Sequence, residues 1–307
     1  MPENTLRAAV IQAASVAFDV EATLQKLDRL ARQAADQGAR LAVFPEAFIG
    51  GYPKGADFGA RVGMRSEAGR DEFLRYYSGA IEVPGPVVDH LSKLAGEFSL
   101  NLVVGVIERD GGTLYCTLLY FDEVGLFLGK HRKLMPTAME RLIWGFGDGT
   151  TLPVYETPVG RVGGVICWEN NMPMLRMHMY REGVELYCAP TVDDREIWTS
   201  SMRHIAWEGR CFVLSACQFA TRADYPEDYE CIQGDDPGAV LIRGGSCIVD
   251  PFGTILAGPI YGEEAVLVAD IDMNQIPRGK YDLDVAGHYA RWDIFDLTVR
   301  GAGGSSE

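Results

Sequence analysis

The stretch Arg161-Val-Gly-Gly-Val-Ile-Cys-Trp-Glu-Asn-Asn-Met-Pro173 places a cysteine between a predicted strand and a predicted helix. The β-branched run 162–166 predicts a buried strand that ends at Cys167. The Asn-Asn-Met-Pro that follows predicts the start of a helix that runs to residue 181. We expect the thiol to lie near the positive end of that helix, which favours thiolate over thiol. The placement predicts a nucleophile, although a single cysteine is more often a small core residue.

Two other polar residues follow predicted strands in the same way. Glu46 comes directly after Leu41-Ala-Val-Phe-Pro45, and Lys133 lies in a basic loop after the predicted strand 126–128. In α/β sheets, ligands bind beyond the carboxyl ends of the strands, so these two side chains and Cys167 could converge in one site. There the thiol would be the nucleophile, the glutamate its general base and the lysine the cation that stabilises developing negative charge.

The remaining pattern alternates strands and helices without a linker or a repeat of fixed period. Because paired strands are bracketed by helices, we predict an α/β fold of two stacked mixed sheets with outer helices. This is a four-layer α-β-β-α sandwich in a single domain over residues 1–300, followed by a disordered tail at 301–307. The predicted strands are 6–13, 41–44, 101–108, 114–122, 185–189, 211–218, 240–249 and 264–271, and the predicted helices are 19–37, 71–78, 84–97 and 196–209.

Composition and charge limit the classes of function. A chain of 307 residues with 47% hydrophobic and 23% charged residues can bury a sizeable core without a disulfide or a metal. Its net charge of −15 argues against nucleic acid and against an anionic membrane as partners. Seven cysteines without a CxxC pair, and no visible signal peptide, indicate a reduced, cytoplasmic protein.

Other common catalytic motifs do not occur in this sequence. It contains no HExxH, CxxC or GxSxG, so metal-dependent and serine mechanisms lack support. The glycine-rich segment 145–149 does not match a dinucleotide-binding fingerprint. His131 and His204 are expected to be structural.

The segments around the three candidate residues resemble the catalytic blocks of the nitrilase superfamily. They read Phe44-Pro-Glu-Ala-Phe-Ile-Gly-Gly-Tyr-Pro53, His131-Arg-Lys-Leu-Met-Pro-Thr137 and Gly163-Gly-Val-Ile-Cys-Trp-Glu-Asn170. The likeness continues through 140–149, 185–191 and 201–218 and covers about residues 6–275. The order and spacing of the blocks make the resemblance specific.

The resemblance implies an α-β-β-α fold, no cofactor, no metal and a Glu-Lys-Cys triad. Carried over to this chain, the triad is Glu46, Lys133 and Cys167. Glu140 is implied as a second active-site carboxylate that orients the lysine or the substrate. Five residues are implied, by analogy, to line the substrate pocket: Tyr52, Thr137, Trp144, Trp168 and Pro190.

Within the superfamily, Cys-Trp-Glu at 167–169 resembles the true nitrilases. The implied activity is hydrolysis of a small organic nitrile to a carboxylic acid and ammonia through a thioimidate and a thioester. An amidase or carbamoyl hydrolase with the same triad is an alternative, and so is a non-catalytic binding or scaffold protein on this fold. The resemblance also implies a homodimer or larger homo-oligomer, whereas filament formation is in doubt because the sequence ends soon after residues 293–296. The identity of the nitrile stays open.

Overall fold

The computed structural model describes residues 4–301. Within that range the chain forms these strands: β1 (Thr5–Gln12), β2 (Leu41–Val43), β3 (Asn101–Asp110), β4 (Thr113–Phe121), β5 (Phe127–Arg132), β6 (Val154–Thr157), β7 (Gly160–Gly164), β8 (Leu186–Cys188), β9 (Phe212–Ser215), β10 (Phe219–Thr221), β11 (Val240–Arg243), β12 (Cys247–Val249), β13 (Ile255–Ala257) and β14 (Ala265–Asp272). The α-helices are α1 (Val20–Asp36), α2 (Glu67–Ser78), α3 (Pro86–Phe98), α4 (Pro173–Arg181), α5 (Glu196–Gly209) and α6 (Gln275–Asp282).

Twelve of these strands form two six-stranded sheets of related topology, and β10 and β11 form a separate two-stranded sheet. The first has the order β14-β1-β2-β3-β4-β5 and the second β13-β12-β9-β8-β7-β6. In each sheet the central strands are parallel, β1-β2-β3 in one and β7-β8-β9 in the other, and the flanking strands are antiparallel. Both sheets are therefore mixed, as predicted.

The hydrophobic clusters show how the layers stack. Inner-face residues such as Val10 and Leu118 of the first sheet share one buried cluster with Leu186 and Leu214 of the second. The outer face of the first sheet packs against α1 and α3, whose Leu27 and Leu91 are fully buried. The outer face of the second sheet packs against α4 and α5. The predicted four-layer α-β-β-α sandwich is confirmed.

Local sequence signals account for the outer helices. The Asp19 side chain accepts a hydrogen bond from the Ala22 N–H at 2.9 Å and so caps α1, as predicted. Leu27, Leu30 and Ala31 then recur at helical spacing and are buried against the sheet. Helix α3 begins at Pro86, where the missing N–H costs nothing.

One predicted strand is wrong. The run 240–249 forms two strands in different sheets, because β11 pairs with β10 whereas β12 joins the second six-stranded sheet. The chain turns between them at Gly244 and Gly245, whose φ angles of 93° and 114° favour glycine. Because apolar residues lie on both sides of the two glycines, the segment has the sequence pattern of one continuous strand.

Other boundaries also differ from the predictions. The strand before Cys167 ends at Gly164 rather than at the cysteine, and the strand predicted at 126–128 runs to Arg132. The elements that were not predicted are short or polar: β6, β10, β13 and α6. The predicted disordered tail lies outside the described residues except for Gly301, which is in a turn. The single-domain boundary at residue 300 stays a prediction.

Candidate active site

Glu46 lies in the loop after β2 and is completely buried. The loop passes so close to β3 that a Cβ on Gly105 would lie 2.2 Å from the Pro45 carbonyl oxygen, so only glycine fits there. Gln218, which follows β9 in the opposite sheet, donates from Nε2 to the Glu46 carbonyl oxygen at 2.8 Å. Contacts from both sheets therefore fix the position of this carboxylate.

Lys133 follows directly after β5, and its ammonium group is buried between two carboxylates. Nζ lies 2.6 Å from Glu46 Oε1 and 2.9 Å from Glu140 Oε2. The Lys133 backbone N–H donates to the Cys116 carbonyl oxygen of β4 at 2.8 Å, which continues the ladder beyond the end of the strand. The structure thus brings three of the four predicted catalytic side chains into direct contact.

Cys167 is the first residue of a short 3₁₀ helix, Cys167–Asn171, and has a φ of 51°. This left-handed conformation is unfavourable for a residue with a side chain and persists only where neighbours enforce it. Here the Cys167 N–H donates to the Pro190 carbonyl oxygen at 2.9 Å, and Asn170 Nδ2 donates to the Cys167 carbonyl oxygen at 2.8 Å. The turn holds the thiol in the layer between the two sheets, where it is 3% exposed.

Thr191 is a further contact of Cys167 that the sequence analysis did not predict. Its hydroxyl accepts the Asp193 N–H at 2.9 Å and donates to Cys167 Sγ at 3.1 Å. The hydroxyl therefore bridges the Asp193 backbone and the sulfur of Cys167. Thr191 lies within the quoted block 185–191, but nothing in a single sequence places it against the cysteine.

The charges in the site favour a lysine that stays protonated. Burial lowers the pKa of Lys133, but the nearby carboxylates outweigh burial and raise it well above its ordinary value. Burial and the charge of Glu140 raise the pKa of Glu46, although Lys133 opposes both effects. Glu46 Oε2 has no hydrogen-bond partner within residues 4–301 and is available to accept a proton. This combination suits an acid-base group beside a permanent cation.

The thiolate expected from the helix dipole is not supported. Helix α4 begins only at Pro173, six positions after the cysteine, so the thiol does not lie in its first turn. Burial and the charge of Glu46 raise the pKa of Cys167 above its ordinary value, whereas Lys133 and the Thr191 hydroxyl lower it by less. These effects favour a neutral Cys167 thiol over the thiolate.

Three of the predicted pocket residues surround Glu140. Tyr52 Oη donates to Glu140 Oε1 at 2.9 Å, and the Thr137 N–H donates to Glu140 Oε2 at 2.6 Å. Trp144 is buried, with its ring edge-on to Tyr52 and 5.3 Å from Lys133 Nζ. Tyr52 and Thr137 orient the Glu140 carboxylate, whereas Trp144 packs against Tyr52. The contact of all three residues with substrate stays a prediction.

The other two predicted pocket residues flank Cys167. Pro190 is buried and accepts the Cys167 N–H, so its observed contact is with the backbone of the nucleophile. The Trp168 side chain is 42% exposed, and its Nε1 donates to Asp193 Oδ2 at 2.8 Å. Arg195 packs 4.9 Å from the centre of the Trp168 ring. This tryptophan lies at the outer edge of the site rather than in its interior.

Two other kinds of feature are absent within residues 4–301. No group of three or more histidine, cysteine, aspartate or glutamate side chains in that range could hold a metal ion. None of the helices there combines the length and the apolar character needed to cross a membrane.

Comparison with known proteins identifies the family. The sequence profile of the carbon-nitrogen hydrolase family matches residues 7–281. An aliphatic nitrilase from Sinorhizobium fredii (strain HH103) is 60% identical over 293 residues, which cover 95% of each chain. A bifunctional nitrilase/nitrile hydratase, NIT4B, from Nicotiana tabacum is 56% identical over 300 residues, which cover 96% of this chain and 86% of that protein.

Solved structures support the fold at lower identity. The C. elegans NitFhit protein superposes with a TM-score of 0.75 at 21% identity, covering all of this chain and 69% of that one. Saccharomyces cerevisiae Nit3, a member of the nitrilase superfamily, gives a TM-score of 0.73 at 24% identity and covers 93% and 97% of the two chains. The chain belongs to the carbon-nitrogen hydrolase family, in the nitrilase branch of the nitrilase superfamily.

Proposed function

We propose that this protein hydrolyses an organic nitrile to a carboxylic acid and ammonia through a covalent Cys167 intermediate. The observation that carries the proposal is the buried cluster of Glu46, Lys133 and Glu140 beside the Cys167 thiol. The nitrilase from S. fredii, at 60% identity over 95% of the chain, supports a nitrile as the substrate.

The proposed reaction uses two water molecules. The Cys167 sulfur attacks the nitrile carbon while Glu46 transfers the thiol proton to the nitrile nitrogen, which gives a thioimidate. A first water adds to the thioimidate carbon, and the tetrahedral intermediate expels ammonia to leave a thioester. A second water, deprotonated by Glu46, attacks the thioester carbonyl carbon. The carboxylic acid leaves and the proton returns to the sulfur.

Two groups are placed to stabilise the negative charge that develops in these steps. Lys133 keeps its positive charge between two carboxylates. Its charge also lowers the pKa of the Cys167 thiol, so it can stabilise negative charge that forms there. The Trp168 N–H lies in the first turn of the helix Cys167–Asn171, where N–H groups lack an intrahelical acceptor. We assign these groups the role of an oxyanion-type site.

The test is ammonia release from a panel of nitriles and matched amides. We expect turnover of at least one nitrile and its loss in Cys167→Ala. Glu46→Gln and Lys133→Met should each reduce kcat about 10²-fold or more. A Cys167→Ala variant with near-normal rates would overturn the mechanism.

The panel also separates an amidase or carbamoyl hydrolase with the same triad, which would release ammonia from amides and leave nitriles untouched. The amount of amide formed needs its own measurement, because two of the similar plant proteins carry the name bifunctional nitrilase/nitrile hydratase. Amide results when the tetrahedral intermediate expels the thiol instead of ammonia. Product analysis by mass spectrometry gives the ratio of acid to amide.

We propose further that the protein is cytoplasmic and forms a homodimer or larger homo-oligomer. All seven cysteines are free, which suits a reducing compartment. Several large apolar side chains in the segment 281–295 are exposed, among them Tyr289 and Phe295 at 69% and 68%, and their number in one segment supports a protein interface. Light scattering on the purified protein measures the oligomeric state.

A further inference from the structure

Glu169 accepts hydrogen bonds from both catalytic segments, although the reaction above gives it no role. Its carboxylate is buried, with 1% of the residue exposed. Oε1 accepts the Leu134 N–H at 2.6 Å, and Oε2 accepts the Ile166 N–H at 2.7 Å. Leu134 directly follows Lys133, and Ile166 directly precedes Cys167. One planar carboxylate therefore holds the peptide groups next to the lysine and next to the nucleophile.

His131 supplies the third hydrogen bond to this carboxylate and is itself fully buried. Nε2 lies 2.9 Å from Glu169 Oε2, and Nδ1 lies 2.6 Å from the Thr151 carbonyl oxygen. A carbonyl only accepts, so Nδ1 carries a proton, and a further proton lies between Nε2 and the carboxylate. Burial lowers the pKa of His131, but the charge and hydrogen bond of Glu169 outweigh burial and raise it. The pair thus keeps a shared proton and leaves no ring nitrogen unpaired.

We propose that Glu169, held by His131, is a positioning residue that sets the place of Lys133 relative to Cys167. The inference rests on the proposed function, since it concerns the same reaction. The two residues act through the backbone on both sides of the site and touch neither substrate nor the reacting atoms. A displacement of about 1 Å between reacting groups can lower a rate about 10²-fold, so the effect of losing this link is measurable.

The principal variant is Glu169→Gln, which keeps the volume of the side chain and removes its charge. Both carboxylate oxygens of Glu169 accept hydrogen bonds, whereas a carboxamide has only one acceptor oxygen. In either orientation, the NH₂ group of the glutamine would therefore face the N–H group of Leu134 or of Ile166. We expect kcat to fall about 10²-fold, with KM within about threefold of the wild-type value. Activity is expressed per folded site, with the number of folded sites taken from the amplitude of the thermal unfolding transition.

Glu108→Gln is the matched control. Glu108 is also a buried glutamate, and it accepts hydrogen bonds from Thr117, Lys130 and Arg132. Lys130 and Arg132 flank His131 on the same strand, but Glu108 has no hydrogen bond to residue 134 or 166. We expect this variant to lower the thermal midpoint and to leave kcat per folded site unchanged.

A Glu169→Gln protein with the wild-type kcat per folded site would overturn the proposal. The proposal would also be overturned if Glu169→Gln and Glu108→Gln lowered kcat per folded site by the same factor. If Glu169→Gln does not fold, His131→Gln decides the question, because it leaves both backbone hydrogen bonds to Glu169 in place. We then expect a loss of about tenfold in kcat, and a wild-type kcat would overturn the proposal.

Assaying the wild-type protein on nitriles and amides tests the proposed function independently of the role of Glu169. Turnover of amides alone would refute nitrile hydrolysis. The variants would then be compared on that amide, and the result would still decide the role of Glu169.

Discussion

At Cys167, burial and the neighbouring groups shift the pKa of the thiol in opposite directions. Burial and the charge of Glu46 raise its pKa, while Lys133 and the Thr191 hydroxyl lower it. The net pKa lies above the ordinary value, so the thiolate forms only when a base removes the proton. This protects the resting thiol and couples its reactivity to the carboxylate.

Removing the ammonium group should raise the pKa of Cys167 further. In Lys133→Met, we expect the pH midpoint of Cys167 alkylation by iodoacetamide to rise by about one unit or more, because an opposite charge nearby normally lowers a thiol pKa by that amount. Below that midpoint the thiol is protonated and labelling is slow. Peptide mass spectrometry after timed labelling measures the midpoint. Lys130→Met is the control, since Lys130 pairs with Glu108 instead. An unchanged midpoint in Lys133→Met would show that the charge of Lys133 does not lower the pKa of Cys167.

The hydroxyl of Thr191 is expected to contribute separately. Thr191→Val keeps the shape of the side chain and removes the hydrogen bond to Cys167 Sγ, so kcat should fall about tenfold, as expected for a hydrogen bond to a charged group. Thr191→Ser keeps the hydroxyl and should stay within about threefold of wild type. Both rates are taken per folded molecule, with the folded fraction read from the amplitude of the thermal unfolding transition. Equal rates for the valine and serine variants would show that the hydroxyl has no catalytic effect.

Among the elements, strand β5 makes different contacts on its two faces, and only one of these faces adjoins the site. Alternate side chains of a strand point to opposite sides. Lys130 and Arg132 bind Glu108 of β3, and His131 between them binds Glu169 near the nucleophile. The strand ends at Arg132, so its pairing with β4 positions the ammonium group of the next residue, Lys133.

The charged face of β5 predicts a pH-dependent stability. Burial alone would raise the pKa of Glu108, but the hydrogen bonds from Arg132 and Lys130 outweigh burial and lower it. A carboxyl with a lowered folded-state pKa stabilises the fold above its unfolded pKa of about 4.3, and this contribution is lost as pH falls through the folded-state pKa.

Glu108→Gln should therefore lower the free energy of unfolding by about 1–3 kcal/mol at pH 7. The difference from wild type should shrink as pH falls below about 4.3 and through the lowered folded-state pKa, where the native carboxyl becomes protonated. Guanidinium unfolding at pH 7 and at acid pH measures this difference in the free energy of unfolding. A difference that is the same at pH 7 and at acid pH would contradict this account.

Across the whole molecule, buried glutamines connect the two sheets. Gln12 of β1 accepts the Gly245 N–H at 2.8 Å and the Ser246 N–H at 2.9 Å through Oε1. Its Nε2 donates to the carbonyl oxygens of Ile260 and Glu263. These bonds hold the chain where it passes from β11 to β12, so one amide fixes a crossing between the sheets.

Gln12→Leu should be among the more destabilising single changes in this chain. It leaves buried backbone donors and acceptors unpaired, so the free energy of unfolding should fall by about 2–4 kcal/mol. Gln33→Leu, on the exposed side of α1, is the control and should change stability by less than about 0.5 kcal/mol. Guanidinium unfolding compares the two, and similar losses would show that the Gln12 amide has no special role.

Sequence by itself determined the features that depend on local chemistry. The limits of α5 were predicted at 196–209 and are observed there, and Asp19 caps α1 as expected. The catalytic motifs also lie where short apolar runs end, because a buried strand needs such a run and the polar residue after it emerges at the sheet edge.

Only the tertiary structure decided what depends on distant neighbours. The pattern at 240–249 predicts one strand, but the conformations of Gly244 and Gly245 divide it between two sheets. The pKa of Cys167 was expected to fall beside a helix and instead rises, because both sheets bury the thiol next to Glu46. Glu169 holds backbone groups from segments more than thirty positions apart. Burial and long-range hydrogen bonds are properties of the assembled core, so no local pattern encodes them.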